Sequence, residues 1–267
     1  MRFAVTQETT FRFDGPATRA IQTLRMTPRN LESQLVKRWR IDVSRDCRLQ
    51  PVEDPWGNLT HTFSVDGPFD ELTISATGIV STSDVAGVLG ATRDRLPLSV
   101  FRRETALTRI EKPVSAFARA AAAETADPLS ALHALMGAVA ERIAVDPEAP
   151  ERLPEEVLAA GAARVADVVH LFAAASRALE IPTRFARGLL FRADEGGVEH
   201  AWIETHLGPG LGWVGFDAIE NRCPTEAHVR IAVGLDGLDA APIRGVFTPA
   251  GGETAETRVS LVEIPHL

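Results

Sequence analysis

The residues best suited to chemistry are a histidine and an aspartate in the second half of the chain. His200 opens the segment His-Ala-Trp-Ile-Glu, and Asp217 closes the segment Trp-Val-Gly-Phe-Asp. A Gly-Pro-Gly turn at 208–210 predicts that these segments form adjacent antiparallel strands, which would bring the two side chains together. A carboxylate beside an imidazole fixes the imidazole tautomer and supports its protonated form, so the pair could serve a nucleophilic active site. The spacing fits equally well a buried pair that only joins two strands.

The segments around this pair resemble the transglutaminase-like superfamily. That family has a helix, then a strand with His-Ala-Trp, then a strand ending in Gly-Phe-Asp. Its helix presents a nucleophilic cysteine in the motif Gly-x-Cys-x-Asp-x-x-His. The resemblance implies a papain-like core and an acyl-enzyme formed on a thiolate. It covers nearly the whole chain, including a β-domain that precedes the core in bacterial members, through the segments 23–29, 54–58, 177–184, 223–226, 230–236 and 242–247.

The resemblance breaks at the nucleophile. When Asp167-Val168-Val169-His170 is matched to the helix motif, Val165 occupies the cysteine position. Valine has neither a nucleophilic nor a titratable group, and loss of a triad member slows such a reaction by about 10⁴-fold or more. Ala163 replaces the glycine of the motif, and Asp217-Ala218-Ile219-Glu220 replaces Asp-Pro-Thr-Asn. Together these departures predict a site released from catalysis.

The resemblance therefore implies a transglutaminase-like pseudoenzyme that binds a peptide, a protein or a sister enzyme. His200 and Asp217 would be its remnant dyad, with Trp202, Arg164 and Glu220 as candidate binding residues. We expect an apolar-lined groove between the cysteine-type helix and the histidine strand. Expected partners are a catalytically intact paralogue or ATP-grasp-like and proteasome-like proteins encoded nearby.

An alternative is an active amide hydrolase or acyltransferase without a cysteine. In that case His200 and Asp217 would activate water, and Glu220 would assist them. Retention of the histidine and the aspartate favours this alternative, although strand packing alone could also retain them.

Other residues are poor substitutes for the missing thiol. Ser176 lies about 16 Å along the predicted helix from Val165, at 1.5 Å per residue. Cys223 follows Asp217 across a loop, and the matching cysteine of the family is not its nucleophile. Cys47 falls in the predicted β-domain, where it should pack as a small hydrophobic residue.

The remaining histidines carry no clear chemical signal. His170 is predicted to be a satisfied core residue, and His133 to be structural or solvent-facing. His206 and His228 have no partner that the sequence identifies. The histidine and cysteine spacings match no zinc pattern, and no glycine-rich phosphate loop is present. We therefore expect neither a metal nor a cofactor.

The pattern of apolar residues predicts an α+β fold. The pattern predicts an antiparallel β-domain at 1–112, followed by helices and further strands at 113–267. The resemblance implies that this second part is a papain-like core, in which helices pack on an antiparallel sheet. Asp127 and Pro128 mark a helix start. Gly57 suits a turn with positive φ. Helices are predicted at about 115–125, 128–143, 153–160 and 164–179, and strands at about 2–6, 10–13, 21–26, 38–43, 59–65, 71–81, 183–191, 199–207, 212–217 and 258–264.

Composition limits the classes of function. The chain has 267 residues, 45% of them hydrophobic and 24% charged, which supplies enough apolar material for a sizeable core. A net charge of −8 argues against general nucleic-acid binding. Glu8 comes before any apolar segment could form a secretory signal, and no apolar run reaches the roughly 18 residues of a membrane span. Two cysteines cannot form a disulfide framework, so a reducing, cytoplasmic setting is expected, away from membranes.

Overall fold

The computed structural model describes residues 1–90, 95–248 and 252–265. Their fold is α+β, with two large antiparallel sheets and helices packed on the second sheet. The helices are α1 (Lys112–Ala121), α2 (Pro128–Arg142), α3 (Pro154–Ala160) and α4 (Val165–Ala178). The strands are β1 (Arg2–Thr27), β2 (Gln34–Val43), β3 (Gln50–Glu53), β4 (Leu59–Thr82), β5 (Val88–Gly90), β6 (Ala144–Val145), β7 (Ala162–Ala163), β8 (Thr183–Arg192), β9 (Gly196–His206), β10 (Trp213–Phe216), β11 (His228–Gly234), β12 (Ile243–Thr248) and β13 (Glu253–Glu263).

The first sheet is built on two long strands, β1 and β4, which pair along most of their length. The sequence predicted each of them as two or more shorter strands separated by turns. At the predicted turn Asp14-Gly15-Pro16 the ladder between β1 and β4 is only interrupted, between Arg12 and Ala17. Proline donates no hydrogen bond and is tolerated at such an irregularity. The strand continues through it because β13 pairs with the first half of β1 and β12 with the second half.

The second sheet has the order β11-β8-β9-β10-β5 and places the predicted site strands side by side. β9 pairs with β10 through the turn predicted at 208–210, and β8 pairs with β9 on its other side. Among the described residues, β11 pairs only with β8 in this sheet and so forms one edge, and it is the last of these strands in the chain. β11, which carries His228, follows β10 in the chain but is separated from it in the sheet by β8 and β9.

The central helix of the core is α4, which packs against β8 and β9. Its side chains are apolar almost all round, including Val168, Val169, Leu171 and Phe172, and a helix with that pattern is stable only when it is enclosed. The helices α1, α2 and α3 supply this cover, and each of them contacts α4. The predicted start of α2 is confirmed, because Asp127 caps the helix by accepting the N–H of Ser130 at 3.0 Å.

Both sheets take strands from both sides of residue 112. β12 and β13, near the end of the chain, pair with β1, whereas β5 pairs with β10 of the core. The proposed division into 1–112 and 113–267 stays a prediction. The two regions interlock through these exchanged strands, so each helps to complete the other's sheet.

Candidate functional site

The structure brings His200 and Asp217 together inside the protein. His200 Nε2 lies 2.6 Å from Asp217 Oδ2, and their exposed fractions are 4% and 0%. His200 is on β9, while Asp217 follows the end of β10, the neighbouring strand. The other carboxylate oxygen, Oδ1, accepts the backbone N–H groups of Ile219 at 2.9 Å and Glu220 at 3.2 Å. The aspartate is thus fixed in position, and it orients the imidazole.

A second histidine, His228, completes a cluster with this pair. Its Nε2 lies 3.1 Å from the same oxygen, Asp217 Oδ2, and the side chain is 6% exposed. His228 comes from β11, which lies two strands away from β9 in the sheet. No partner for His228 was predicted from the sequence, and the structure identifies one in Asp217. No local pattern could have revealed the contact, since it depends on how β11 pairs with β8.

The hydrogen bonds of His228 define its tautomer. Its Nδ1 accepts the backbone N–H of Thr225 at 3.1 Å, so the ring proton must be on Nε2, which donates to Asp217. The ligand atoms of His200, Asp217 and His228 lie within 4.8 Å of one another, as in a metal site. A protonated Nε2 cannot ligate a metal, however, and two ligands of one zinc ion would be about 3.3 Å apart or more. The tautomer and the 2.6 Å contact therefore favour a hydrogen-bonded cluster.

The cluster keeps Asp217 ionised. Burial would raise the pKa of Asp217, but hydrogen bonds from His200 and His228 hold it well below its usual range. The carboxylate can therefore act only as an acceptor, and both histidines donate to it. This is the arrangement that orients the general base of a triad.

Val165 is the first residue of α4, where the resemblance places the nucleophile. Its side chain is partly buried and packs against the core. Arg164 precedes it as the N-cap residue and forms no side-chain cap. Asp167, in the first turn, suits the positive end of the helix dipole. The helix thus begins where the resemblance expects it to begin, and an isopropyl group occupies the position that the resemblance assigns to the thiol.

A cavity of about 560 Å³ lies at this end of α4. The residues that line it include the charged Arg164, Asp167 and Arg187 and the apolar Leu153 and Leu238. Among the described residues that line it, neither His200 nor Asp217 occurs. The expected groove between helix and histidine strand was apolar, whereas this cavity has a mixed lining and lies beside the helix start.

The predicted binding residues occupy different environments. Arg164 borders the cavity and pairs with Glu151 at 3.1 Å and Asp167 at 3.4 Å. Glu220 is held by Arg192 at 2.6 Å, so its carboxylate is engaged in an ion pair.

Trp202 lies in the interior of the protein, with an exposed fraction of 2%. Its ring meets His228 edge-on, with the centroids 5.4 Å apart, and packs with Ala186 and Val233. Trp202 therefore supports the cluster from inside, and its role as a binding residue stays a prediction.

The alternative nucleophiles lie in unsuitable surroundings. Ser176 is fully buried in α4 and donates to Phe172 O at 2.8 Å. Burial and the nearby Asp84 raise the pKa of the Cys223 thiol, which disfavours the reactive thiolate. Burial and Asp46 likewise raise the pKa of Cys47, which packs beside the core of the first sheet.

His170 and His133 match their predicted environments. His170 is buried, and its Nε2 accepts the N–H of Gly237 at 3.0 Å. His133 is exposed on α2 and meets Phe216 edge-on. His206, for which no partner was predicted, meets Trp213 edge-on and accepts the N–H of Gly208 at its Nδ1. The three imidazole rings therefore make structural contacts and do not belong to the cluster around Asp217.

Comparison with known proteins finds related family matches for an N-terminal region and for the core of this chain. Residues 3–81 match the bacterial transglutaminase-like N-terminal region, and residues 115–218 match the transglutaminase-like superfamily. The uncharacterized protein ML0607 of Mycobacterium leprae (strain TN) is 25% identical over 280 residues, which cover 98% of this chain and 99% of that protein.

A crystal structure shows the same fold. It comes from a Cytophaga hutchinsonii protein that is provisionally described as a cysteine protease, and the TM-score is 0.79 at 18% sequence identity. The alignment covers 100% of this chain and 91% of that chain. With both regions matched, the chain belongs to the transglutaminase-like superfamily, as a bacterial transglutaminase-like N-terminal region joined to a transglutaminase-like core.

Proposed function

We propose that this protein is a transglutaminase-like pseudoenzyme that acts by binding a peptide, a protein or a sister enzyme. The observation that carries the proposal is Val165 at the start of α4, in the position that the family motif reserves for the nucleophilic cysteine. Thiolate attack on a carbonyl is the first covalent step of the family's chemistry, and a valine side chain cannot perform it.

The surroundings of the chain's own thiols support the same proposal. Both cysteines have raised pKa values, so neither offers a ready thiolate to replace the missing one. Cys47 lies beside the core of the first sheet, away from the second sheet that carries His200. The base and its orienting carboxylate would thus persist without a nucleophile to activate.

The cavity at the start of α4 supports a binding role. Its volume of about 560 Å³ is typical of ligand sites, as is a lining that mixes apolar and charged side chains. Arg164 and Arg187 could hold acidic or carbonyl groups of an extended peptide, while Leu153 and Leu238 supply apolar contact. We propose a catalytically intact paralogue, or the products of neighbouring ATP-grasp-like or proteasome-like genes, as the protein partners.

The proposal includes a cytoplasmic location without membrane or nucleic-acid binding. No helix in the described ranges is long and apolar enough to cross a membrane. Cell fractionation with an antibody against the native protein tests the location, and recovery in the periplasmic or membrane fraction would contradict it.

The direct test of inactivity compares the wild type with His200→Ala. Both proteins are assayed with a chromogenic ester, a peptide anilide and a fluorescent primary amine offered to a glutaminyl peptide. We expect both to show the same background rate as buffer. A wild-type rate in the enzymatic range that His200→Ala abolishes would contradict the proposal.

A second candidate is a hydrolase in which His200 activates water. The 2.6 Å contact between His200 and Asp217 favours it, because an oriented base is what such a mechanism requires. Glu220 was expected to assist, but its ion pair with Arg192 leaves it engaged elsewhere. Activity that is lost in both Asp217→Asn and His200→Ala but retained in Glu220→Gln would establish this candidate.

A further inference from the structure

The edge strand β11 is held by side chains from the N-terminal region. Gln34 reaches Arg230, donating from Nε2 to the backbone O at 2.8 Å and accepting the backbone N–H at 2.9 Å. Asn58 contacts Val233 in the same way, at 2.7 Å to its O and 2.9 Å from its N. Each amide thus copies the pair of hydrogen bonds that a neighbouring strand would make.

A third contact holds the segment just before β11. The hydroxyl of Thr82, at the end of β4, donates to the backbone O of Glu226. Thr82, Gln34 and Asn58 are all at least 96% buried. Their attachment points therefore lie on both sides of His228, and we call these three side chains the β11 clamp.

The clamp is itself braced within the N-terminal region. Asp54 accepts the amide of Asn58 at 3.0 Å and the guanidinium of Arg25 at 3.0 Å. Gln34 Nε2 also donates to the backbone O of Arg29 at 2.8 Å. Trp56, from the same turn as Asn58, packs against the group that includes Trp202, whose ring touches His228. Gln34 and Asn58 are thus held by contacts within their own region as well as by their contacts with β11.

We propose that the N-terminal region positions the buried cluster, with Gln34 and Asn58 acting as positioning residues for His228. His228 in turn holds Asp217 Oδ2, and Asp217 orients His200. Backbone movement of β11 would displace the imidazole of His228 and remove one of the two donors to the carboxylate. The inference is independent of the proposed function, because it applies whether the cluster is catalytic or only structural.

The test uses nuclear magnetic resonance of the imidazole rings in the full-length protein. Long-range nitrogen–proton spectra report the tautomer of each histidine, and solvent exchange reports how often the Nε2 proton of His228 is released. The double variant Gln34→Ala/Asn58→Ala is compared with Gln22→Ala. Gln22 is an equally buried glutamine that binds Val246 O on β12, away from β11.

We expect the wild type to show His228 as the Nε2–H tautomer. The double variant should mix the tautomers and speed exchange of that proton by about tenfold or more, since two buried amide contacts are lost. Gln22→Ala should leave both signals unchanged. Wild-type signals of His228 in the double variant would overturn the proposal, as would an equal change in Gln22→Ala.

A variant that fails to fold does not end the test. Gln34→Glu keeps the acceptor oxygen for Arg230 N–H but loses the donor to Arg230 O. If the double variant is unfolded, this isosteric single variant is measured in the same way. Altered His228 exchange in Gln34→Glu supports the positioning role, and exchange equal to that of the wild type overturns it.

Discussion

At the scale of single residues, the charge on Asp217 depends on two imidazoles. Burial opposes ionisation, yet donors from His200 and His228 keep the carboxylate charged, with its pKa below the usual range. The sequence predicted the first of these contacts, because β9 and β10 are joined by a short turn. The second could not be predicted, because the strand carrying His228 reaches the site through pairing with β8. Local spacing reveals hairpin partners, whereas contacts across non-consecutive strands depend on the fold.

Asp217→Asn should lower stability by about 3 kcal/mol at neutral pH, because it removes a buried charge from two donors. Since the folded pKa of Asp217 is depressed, its contribution is fully present above the unfolded value of about 3.9 and is lost as pH falls further. Urea unfolding of both proteins across acidic pH should therefore show their difference shrinking below about pH 4.

Asp66→Asn is the matched control for this prediction. Asp66 is exposed and pairs only with Arg19 at 3.3 Å among the described residues, so its substitution should change stability by less than about 1 kcal/mol. If Asp217→Asn loses no more stability than Asp66→Asn, or if its loss is independent of pH, the buried cluster is not the ionised unit inferred from its contacts.

At the scale of elements, the positions of α2, α3 and α4 were predicted closely because their signals are local, whereas α1 begins three residues and ends four residues earlier than predicted. Asp127 with Pro128 starts α2, and Pro182 follows the end of α4. The continuity of β1 and β4 was missed, because Asp14-Gly15-Pro16 reads as a turn while a change of strand partner carries β1 through it. The apolar pattern therefore predicted the helices and several strands, but it missed β11 and β12 and the short strands β3, β5, β6 and β7. Tertiary pairing sets the length of β1 and β4.

Substitution of Gly188 tests how closely β8 is packed against its neighbours at the site. A Cβ there would lie 2.1 Å from Val229 O and 2.7 Å from the Trp202 ring, next to the pairing of Gly188 with His200. Gly188→Ala should therefore lower stability by about 1–3 kcal/mol through overpacking. The control is Gly137→Ala in α2, where a Cβ meets nothing within 4 Å and should stabilise the helix by up to about 1 kcal/mol. Equal effects in thermal unfolding would contradict this packing.

At the scale of the whole molecule, each of the two regions adds strands to the other's sheet, and the β11 clamp joins them. β12 and β13 return to the first sheet, β5 joins the second, and the β11 clamp crosses between them. The family resemblance predicted a β-domain and a papain-like core, and both are present. It did not predict this interlocking, because the weak alternation of the last strands gave no sign of their distant partner, β1.

Interlocked regions should unfold together. We expect one calorimetric transition, with far- and near-ultraviolet circular dichroism changing at the same temperature. Two separated transitions, or a first transition that leaves the tryptophan signal of the second sheet intact, would show that the regions are independent.

Val165→Cys tests whether His200 and Asp217 can still serve a thiol placed at the start of α4. The measurement is ester hydrolysis by Val165→Cys with an intact-mass search for the acyl-enzyme, beside the wild type and Val165→Cys/His200→Ala. We expect no adduct on the wild type, an adduct and turnover in Val165→Cys, and a rate about 10⁴-fold lower when His200 is also removed. A wild type that is already active and gains nothing from the thiol would contradict the account, as would Val165→Cys activity that does not depend on His200.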